Sequence, residues 1–217
     1  MNRTALVIGG TGLVGFELLK LLKIDAFYSK VIVVSRRPVE LDDAKMQSIV
    51  TDFNYLEDVA EQMKADHYFC CLGTTMKKAG SKENFMRVDY EYPLTLAKIA
   101  SHHQAINFQL VSALGANRSS SFFYNKVKGQ VEDDIRALNL NSLNIFRPSL
   151  LLGDRNESRK GEEFAKIVTG FMSPIMIGHF KKYKPVVATN VAVKMIRVAK
   201  REEPGVEIFE SNEINKL

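Results

Sequence analysis

The chain has 217 residues, 46% of them hydrophobic and 25% charged. That balance excludes a disordered chain and supplies ample material for one core, and no apolar run is long enough to cross a bilayer. The net charge of +5 and isoelectric point near 9.1 suit an anionic small ligand, but the basic residues are spread without a long run, so nucleic acid is not an expected partner.

Met1-Asn2-Arg3-Thr4 runs directly into the apolar stretch Ala5-Leu6-Val7-Ile8. No signal peptide is visible, and a cytoplasmic location is the expectation. The stretch enters Gly9-Gly10-Thr11-Gly12-Leu13-Val14-Gly15, and a helix-compatible segment, Phe16 to Lys23, follows. Strand, glycine turn and helix in this order make a dinucleotide-phosphate site. Glycines let the backbone approach a pyrophosphate, and the helix aims unpaired N–H groups at it. Gly9, Thr11, Gly12, Leu13, Val14 and Gly15 are therefore candidate cofactor residues. The next strand, Lys30 to Ser35, ends in Arg36-Arg37-Pro38 with no carboxylate before Glu40. A carboxylate at this point would bind the ribose hydroxyls of NAD, whereas arginine pairs with the 2′-phosphate of NADP. NADP(H) is thus the expected cofactor, with Arg36 and Arg37 as its phosphate ligands.

Met46 to Val50 reads as a third strand, with Asp52 and Phe53 at the edge where an adenine ring sits in this architecture. Asn54 is expected to cap an amphipathic helix from Leu56 to Lys64. The fourth strand, His67 to Leu72, leads into a second small-residue turn, so Leu72, Gly73, Thr74 and Thr75 are expected to share the cofactor crevice. Cys70 and Cys71 are neighbours in this strand, where side chains alternate between faces, so they are expected to remain reduced and unbridged. A long helix begins near Ser81, with Pro93 as a kink or restart. At its end His102-His103 is expected to be solvent-exposed. No Cys/His spacing indicates a metal site.

The fifth strand, Ile106 to Val111, ends at Ser112. After a polar loop, a charged helix carries Tyr124 and Lys128 on one face, four residues apart. A neighbouring ammonium favours phenolate, so the pair can protonate a carbonyl oxygen as hydride arrives, or work in reverse on an alcohol. Tyr124, Lys128 and Ser112 are the candidate catalytic residues, with Lys128 also expected to hold the cofactor ribose. A sixth strand, Ser142 to Phe146, precedes Arg147-Pro148. Residues 149–189 are less regular, with a short helix from Glu162 to Val168 and with Phe171, Met172, Met176, Phe180 and Tyr183 as pocket or core residues. Thr189 is expected to cap the helix Asn190 to Lys200, and Val206 to Phe209 forms a last strand. The alternation predicts an α/β fold: a single Rossmann-type, doubly wound parallel sheet over residues 1–217, with 149–189 as a small substrate-facing lobe.

Several stretches together carry a family resemblance: Cys70-Cys71-Leu72-Gly73-Thr74-Thr75, Lys78-Ala79-Gly80, Phe85-Met86-Arg87-Val88-Asp89, Tyr124 with Lys128-Gly129, Phe146-Arg147-Pro148, and Asp154 to Arg159. The chain resembles the atypical short-chain dehydrogenases/reductases, and within them the Tat-interactive oxidoreductase-like proteins and their bacterial relatives. The resemblance implies a Rossmann fold, NADP(H) at the glycine turn and a Tyr/Lys active centre. It departs from the pattern where related sequences often carry two serines after the fifth strand, since Ser112 is followed by Ala113. The expected function is NADP(H)-dependent oxidoreduction of a small carbonyl or alcohol. The alternative is a cofactor-binding regulatory protein that acts on a protein partner, as some members of the family do. Nucleotide-sugar epimerisation ranks third, because the chain is short for the extra substrate domain such enzymes usually carry.

Overall fold

The computed structural model describes residues 2–153 and 184–216. Seven strands form one parallel sheet: β1 (Arg3–Ile8), β2 (Tyr28–Ser35), β3 (Met46–Val50), β4 (His67–Cys70), β5 (Asn107–Val111), β6 (Ser142–Arg147) and β9 (Gly205–Glu210), in the order β3-β2-β1-β4-β5-β6-β9. A separate two-stranded parallel pair joins β7 (Leu151–Leu152) to β8 (Val186–Val187). Helices α1 (Leu13–Ile24), α2 (Met76–Ala79), α3 (Lys82–Met86), α4 (Tyr92–His102), α5 (Phe123–Arg136), α6 (Ala188–Ala199) and α7 (Ser211–Ile214) complete the described residues.

The central strands read as unbroken apolar runs because both faces of the sheet are covered. Leu6, Ile8, Ile32, Val34, Tyr68 and Cys70 point into one core, and Ala5, Val7, Val31, Val33 and Phe69 into the other. This is the period-two alternation of a strand, with two apolar faces in place of one. On the second side, Val14, Leu18 and Leu22 form the buried stripe of α1, spaced one helical turn apart, and α1 packs against α6. β1 lies between β2 and β4. Chain order therefore reverses at its C-terminal end, the place where parallel α/β sheets open a crevice.

Local expectations give way at several points. Leu56 to Lys64 does not form an α-helix. The chain runs through 3₁₀ turns at Phe53–Tyr55 and Glu57–Met63, and it is Asp52 that caps the first, its side chain accepting from the Asn54 N–H at 2.9 Å. The capping acceptor is thus two residues upstream of the one expected. β4 stops at Cys70, leaving Cys71 and Leu72 in the turn. Both cysteines are free, Cys70 buried and Cys71 half-buried. Pro93 neither breaks nor restarts the helix. It lies inside a continuous run in which α3 passes through a π-helical turn at Arg87–Glu91 into α4; the irregular turn directly upstream accommodates a ring and a missing N–H that a regular helix interior would not. α6 begins at Ala188 with Val187 as its N-cap. Thr189 instead donates its hydroxyl to Glu17 Oε2 at 3.1 Å, tying α6 to α1. The short helix expected over 162–168 and the apolar candidates Phe171, Met172, Met176, Phe180 and Tyr183 lie outside the described residues.

Beneath the sheet, at the N-terminal ends of the strands, a partly buried polar chain links distant segments. Tyr28 Oη lies 2.9 Å from His67 Nδ1, His67 Nε2 lies 3.3 Å from Glu202 Oε1, and Arg3 donates two 2.7 Å hydrogen bonds to the Glu202 carboxylate. Burial pulls the His67 imidazole down to about 4 against the opposing pull of Glu202 and Asp66. Burial likewise raises the Tyr28 phenol, so that it stays protonated.

Candidate cofactor and active site

The glycine turn is held by steric fit as well as conformation. Gly9 has φ +82°, in the left-handed region, and a Cβ there would lie 2.7 Å from the Cys71 carbonyl. A Cβ on Gly15 would lie 2.2 Å from the Gly9 carbonyl oxygen, so only glycine lets α1 start this close to the turn. Gly12 caps α1 without any side-chain hydrogen bond, and the first turn carries no acidic residue. Its first N–H groups are therefore directed at the crevice with no internal carboxylate to occupy them. Thr11 is exposed, Leu13 half-buried and Val14 buried.

Arg36 and Arg37 follow β2 on this same edge, both exposed, and neither pairs with a carboxylate among the described residues. The Arg36 guanidinium stands 5.5 Å from the centre of the Phe53 ring. Phe53 is buried and meets Tyr92 edge-on at 5.6 Å. Asp52 is exposed, but its carboxylate is engaged in capping the Asn54 N–H. The expected phosphate and adenine residues thus gather at one corner, beyond the ends of β2 and β3.

The other side of the crevice is organised by a residue that sequence reasoning did not assign a role. Asp89 sits in the π-helical turn and is fully buried. Its Oδ1 lies 2.7 Å from Lys128 Nζ, and its Oδ2 accepts the Thr74 N–H at 2.9 Å. A Cβ on Gly73 would lie 3.7 Å from Asp89 Oδ1 and 3.8 Å from Lys128 Nζ. Asp89 therefore clamps the Gly73-Thr74 turn and the lysine together. Burial acts to lower the Lys128 ammonium, but Asp89 and the nearby Tyr124 phenol outweigh it, and its pKa is raised. The other turn residues are placed less centrally. Leu72 is buried, and Thr75 caps α2 by accepting the Lys78 N–H at 3.2 Å.

Tyr124 lies on the same face of α5 as Lys128, half-buried, its ring 5.5 Å from that of buried Phe85. Its hydroxyl has no hydrogen-bond partner among the described residues. Ser112 is buried at the end of β5, where its Oγ donates to Glu132 Oε1. Glu132, buried on α5, is itself gripped by Arg147 at the end of β6, through Nε at 3.0 Å and a second close contact from the guanidinium. The serine's proton is thus committed to a carboxylate, and its remaining capacity is as an acceptor. Glu132 had a legible signal, since Tyr124, Lys128 and Glu132 recur at every fourth position of one helix face. Asp89 was signalled only as the last residue of Phe85-Met86-Arg87-Val88-Asp89 in the family resemblance, with no role attached, because its π turn is not visible in the periodicity.

These arrangements have relatives. A family model described as the NAD dependent epimerase/dehydratase family matches residues 5–213. Protein HTATIP2 of Rattus norvegicus is 39% identical over 169 residues, 76% of this chain and 69% of that protein. Protein FMP52-1, mitochondrial, of Scheffersomyces stipitis is 34% identical over 231 residues, 99% and 98% of the two chains. Among solved structures, the Bordetella bronchiseptica enzyme WbmH in complex with NAD+ superposes with a TM-score of 0.73 at 14% identity, over 100% of this chain and 79% of that one. The Helicobacter pylori ADP-L-glycero-D-manno-heptose-6-epimerase gives 0.71 at 19%, over 98% and 80%. The doubly wound Rossmann fold expected from the sequence is the fold of these neighbours, and the oxidoreductase-like resemblance stands. The cytoplasmic expectation does not. FMP52 relatives from several fungi, among them the Debaryomyces hansenii protein at 43% identity over 72% of this chain, are named mitochondrial. Reduced cysteines and a strand close to Met1 do not distinguish one reducing compartment from another.

Proposed function

The chain belongs to the NAD dependent epimerase/dehydratase family, whose members are NAD(P)-binding oxidoreductase-type proteins, and on that premise we propose that it is an NADP(H)-dependent oxidoreductase acting on a small carbonyl or alcohol. The observation that carries this reading is the position of Lys128: a buried ammonium paired with Asp89 beside Gly73, one helical turn from Tyr124, where the Cys71-Leu72 backbone just before Gly73 packs against Gly9 of the glycine turn. The residues present fit a dinucleotide phosphate. The start of α1, without a side-chain cap, offers N–H groups to the pyrophosphate, and Arg36 and Arg37, which pair with no carboxylate among the described residues, offer guanidinium groups to a 2′-phosphate. When bound, NADPH supplies the hydride.

The chain's own residues handle the proton. Tyr124 donates its phenolic proton to the carbonyl oxygen as charge develops there, and Lys128 stabilises the phenolate left behind. Asp89 holds Lys128 in place and offsets part of its charge, so the phenol is assisted by an ion pair rather than by a bare ammonium. Ser112, its O–H donated to Glu132, receives a hydrogen bond from a substrate hydroxyl in the alcohol direction. Epimerisation of nucleotide sugars is not carried over from the solved neighbours, since likeness below 20% identity extends to the fold alone.

The test is turnover of NADPH across a panel of small carbonyls with wild type and Tyr124→Phe. Loss of a positioned acid lowers kcat/KM by about 10²–10⁴-fold, and equal rates would remove Tyr124 from the chemistry. A second reading, a cofactor-binding regulator without turnover, is favoured by one observation: the Ser112 proton is already engaged by Glu132. Tight NADPH binding with no consumption on any substrate would select it.

A further inference from the structure

Away from the cofactor crevice, towards the N-terminal ends of the strands, three side chains converge that the proposed chemistry does not use. Glu61 comes from the 3₁₀ segment Glu57–Met63. His102 is the last residue of α4 and His103 its C-cap. We propose that Glu61, His102 and His103 form a binding site for a divalent transition-metal ion, with the His103 Nε2 lone pair as its fixed ligand. One donor atom from each residue lies within 4.8 Å of the other two.

The second, independent observation is His103 itself. Its side chain is only 4% exposed, against 86% for Glu61, and its Nε2 is buried with no hydrogen-bond partner. That atom faces Glu61 Oε1 at 4.0 Å, too far for a hydrogen bond. Two donors bound to one ion at about 2 Å each stand roughly 3–4 Å apart, so a small inward rotation of the exposed Glu61 and His102 side chains closes the set.

The tautomer is determined by the neighbours. Tyr68 Oη lies 2.7 Å from both the Met63 carbonyl oxygen and His103 Nδ1. The carbonyl can only accept, so the phenol donates to it. The phenol oxygen must then accept from Nδ1–H, which leaves Nε2 as a bare lone pair pointing at Glu61 and His102. Burial keeps Tyr68 protonated for this role. An N–H held by an outer partner while the other nitrogen is presented is the arrangement that orients metal-binding histidines. Burial also lowers the His103 imidazole, with Glu61 opposing and His102 and Lys64 acting in the same direction as burial. The C-terminal end of α4 places partial negative charge beside the ion. Two imidazoles and one carboxylate select zinc, cobalt, nickel or copper over calcium and magnesium. The sequence expectation that His102-His103 faces solvent holds for His102 and fails for the His103 side chain, which β4 covers with Tyr68.

The test uses the full, untagged chain stripped with chelator and titrated with ZnCl₂ by calorimetry at neutral pH. One equivalent should bind. Glu61→Gln and His102→Ala, both at exposed positions, should each weaken it at least about 10-fold, and Tyr68→Phe by about 10–100-fold through loss of the outer partner. MgCl₂ and CaCl₂ should give no saturable binding. Circular dichroism confirms that each variant is folded; should Tyr68→Phe fail to fold, the two exposed variants decide. Absence of one-to-one Zn²⁺ binding overturns the site, as does binding that both exposed variants leave unchanged, which would mark an adventitious ion only.

Discussion

Asp89→Ala is the substitution that most directly tests how the proposed active centre is held together. It strands the Lys128 ammonium, 5% exposed, without the carboxylate that stands 2.7 Å away, and removes the acceptor of the Thr74 N–H. Breaking a buried pair by deleting one partner costs about 3–5 kcal/mol, a large part of the roughly 5–15 kcal/mol that holds a typical domain folded. With a urea slope of about 2 kcal/mol/M the midpoint should fall by roughly 2 M, read by circular dichroism at neutral pH. Neutral pH is the right place to look. The folded lysine's pKa is raised, so the pair's contribution is complete below the ordinary lysine value of 10.5 and is lost only as pH climbs through the raised one. Asp89→Leu combined with Lys128→Met removes both buried charges and should recover most of the loss. The reasoning is refuted if Asp89→Ala lies within about 1 kcal/mol of wild type, or if the double variant is no more stable than the single one.

Other outcomes follow from the same geometry. Arg36→Ala with Arg37→Ala should weaken NADPH binding by about 10–100-fold, the worth of charge-assisted hydrogen bonds, while leaving NADH nearly unchanged in a fluorescence titration; an unaltered preference would exclude these arginines from cofactor choice. Gly15→Ala forces a Cβ to within 2.2 Å of the Gly9 carbonyl oxygen, so the start of α1 must shift, with a stability loss of about 1–3 kcal/mol and loss of dinucleotide binding, both measurable on the purified variant. His67 is neutral when folded, with its pKa near 4 against 6.5 for the ordinary imidazole. The unfolded chain therefore binds the extra proton between those values. The resulting stability is complete above pH 6.5 and declines as pH falls towards 4, by up to about 3 kcal/mol. His67→Phe should flatten the melting temperature over that window, and a variant as acid-sensitive as wild type would contradict the assignment.

The glycine turn, the two arginines after β2 and the Tyr124/Lys128 spacing are local patterns. Each depends on residues a few positions apart, and the backbone alone brings them together once strand and helix form. For that reason the alternation that makes a parallel, doubly wound sheet and the face shared by tyrosine and lysine were legible in the chain, while the strand order that puts β1 between β2 and β4 was not. Glu132 was within reach of the same reasoning, one further turn along α5. Asp89 beneath Gly73, Ser112 donating to a Glu132 that Arg147 holds, and His103 sealed under Tyr68 depend on segments that meet only when the sheet is assembled. A buried charge is tolerated only where its partner is delivered to it by the fold. Hydrophobic periodicity carries no record of that delivery, nor of the π turn that swings Asp89 inward. The sequence by itself determined a parallel Rossmann sheet with a glycine turn at the end of its first strand, and the tertiary structure alone decided how Lys128 and Ser112 are held, because their partners come from elements that only packing brings into contact.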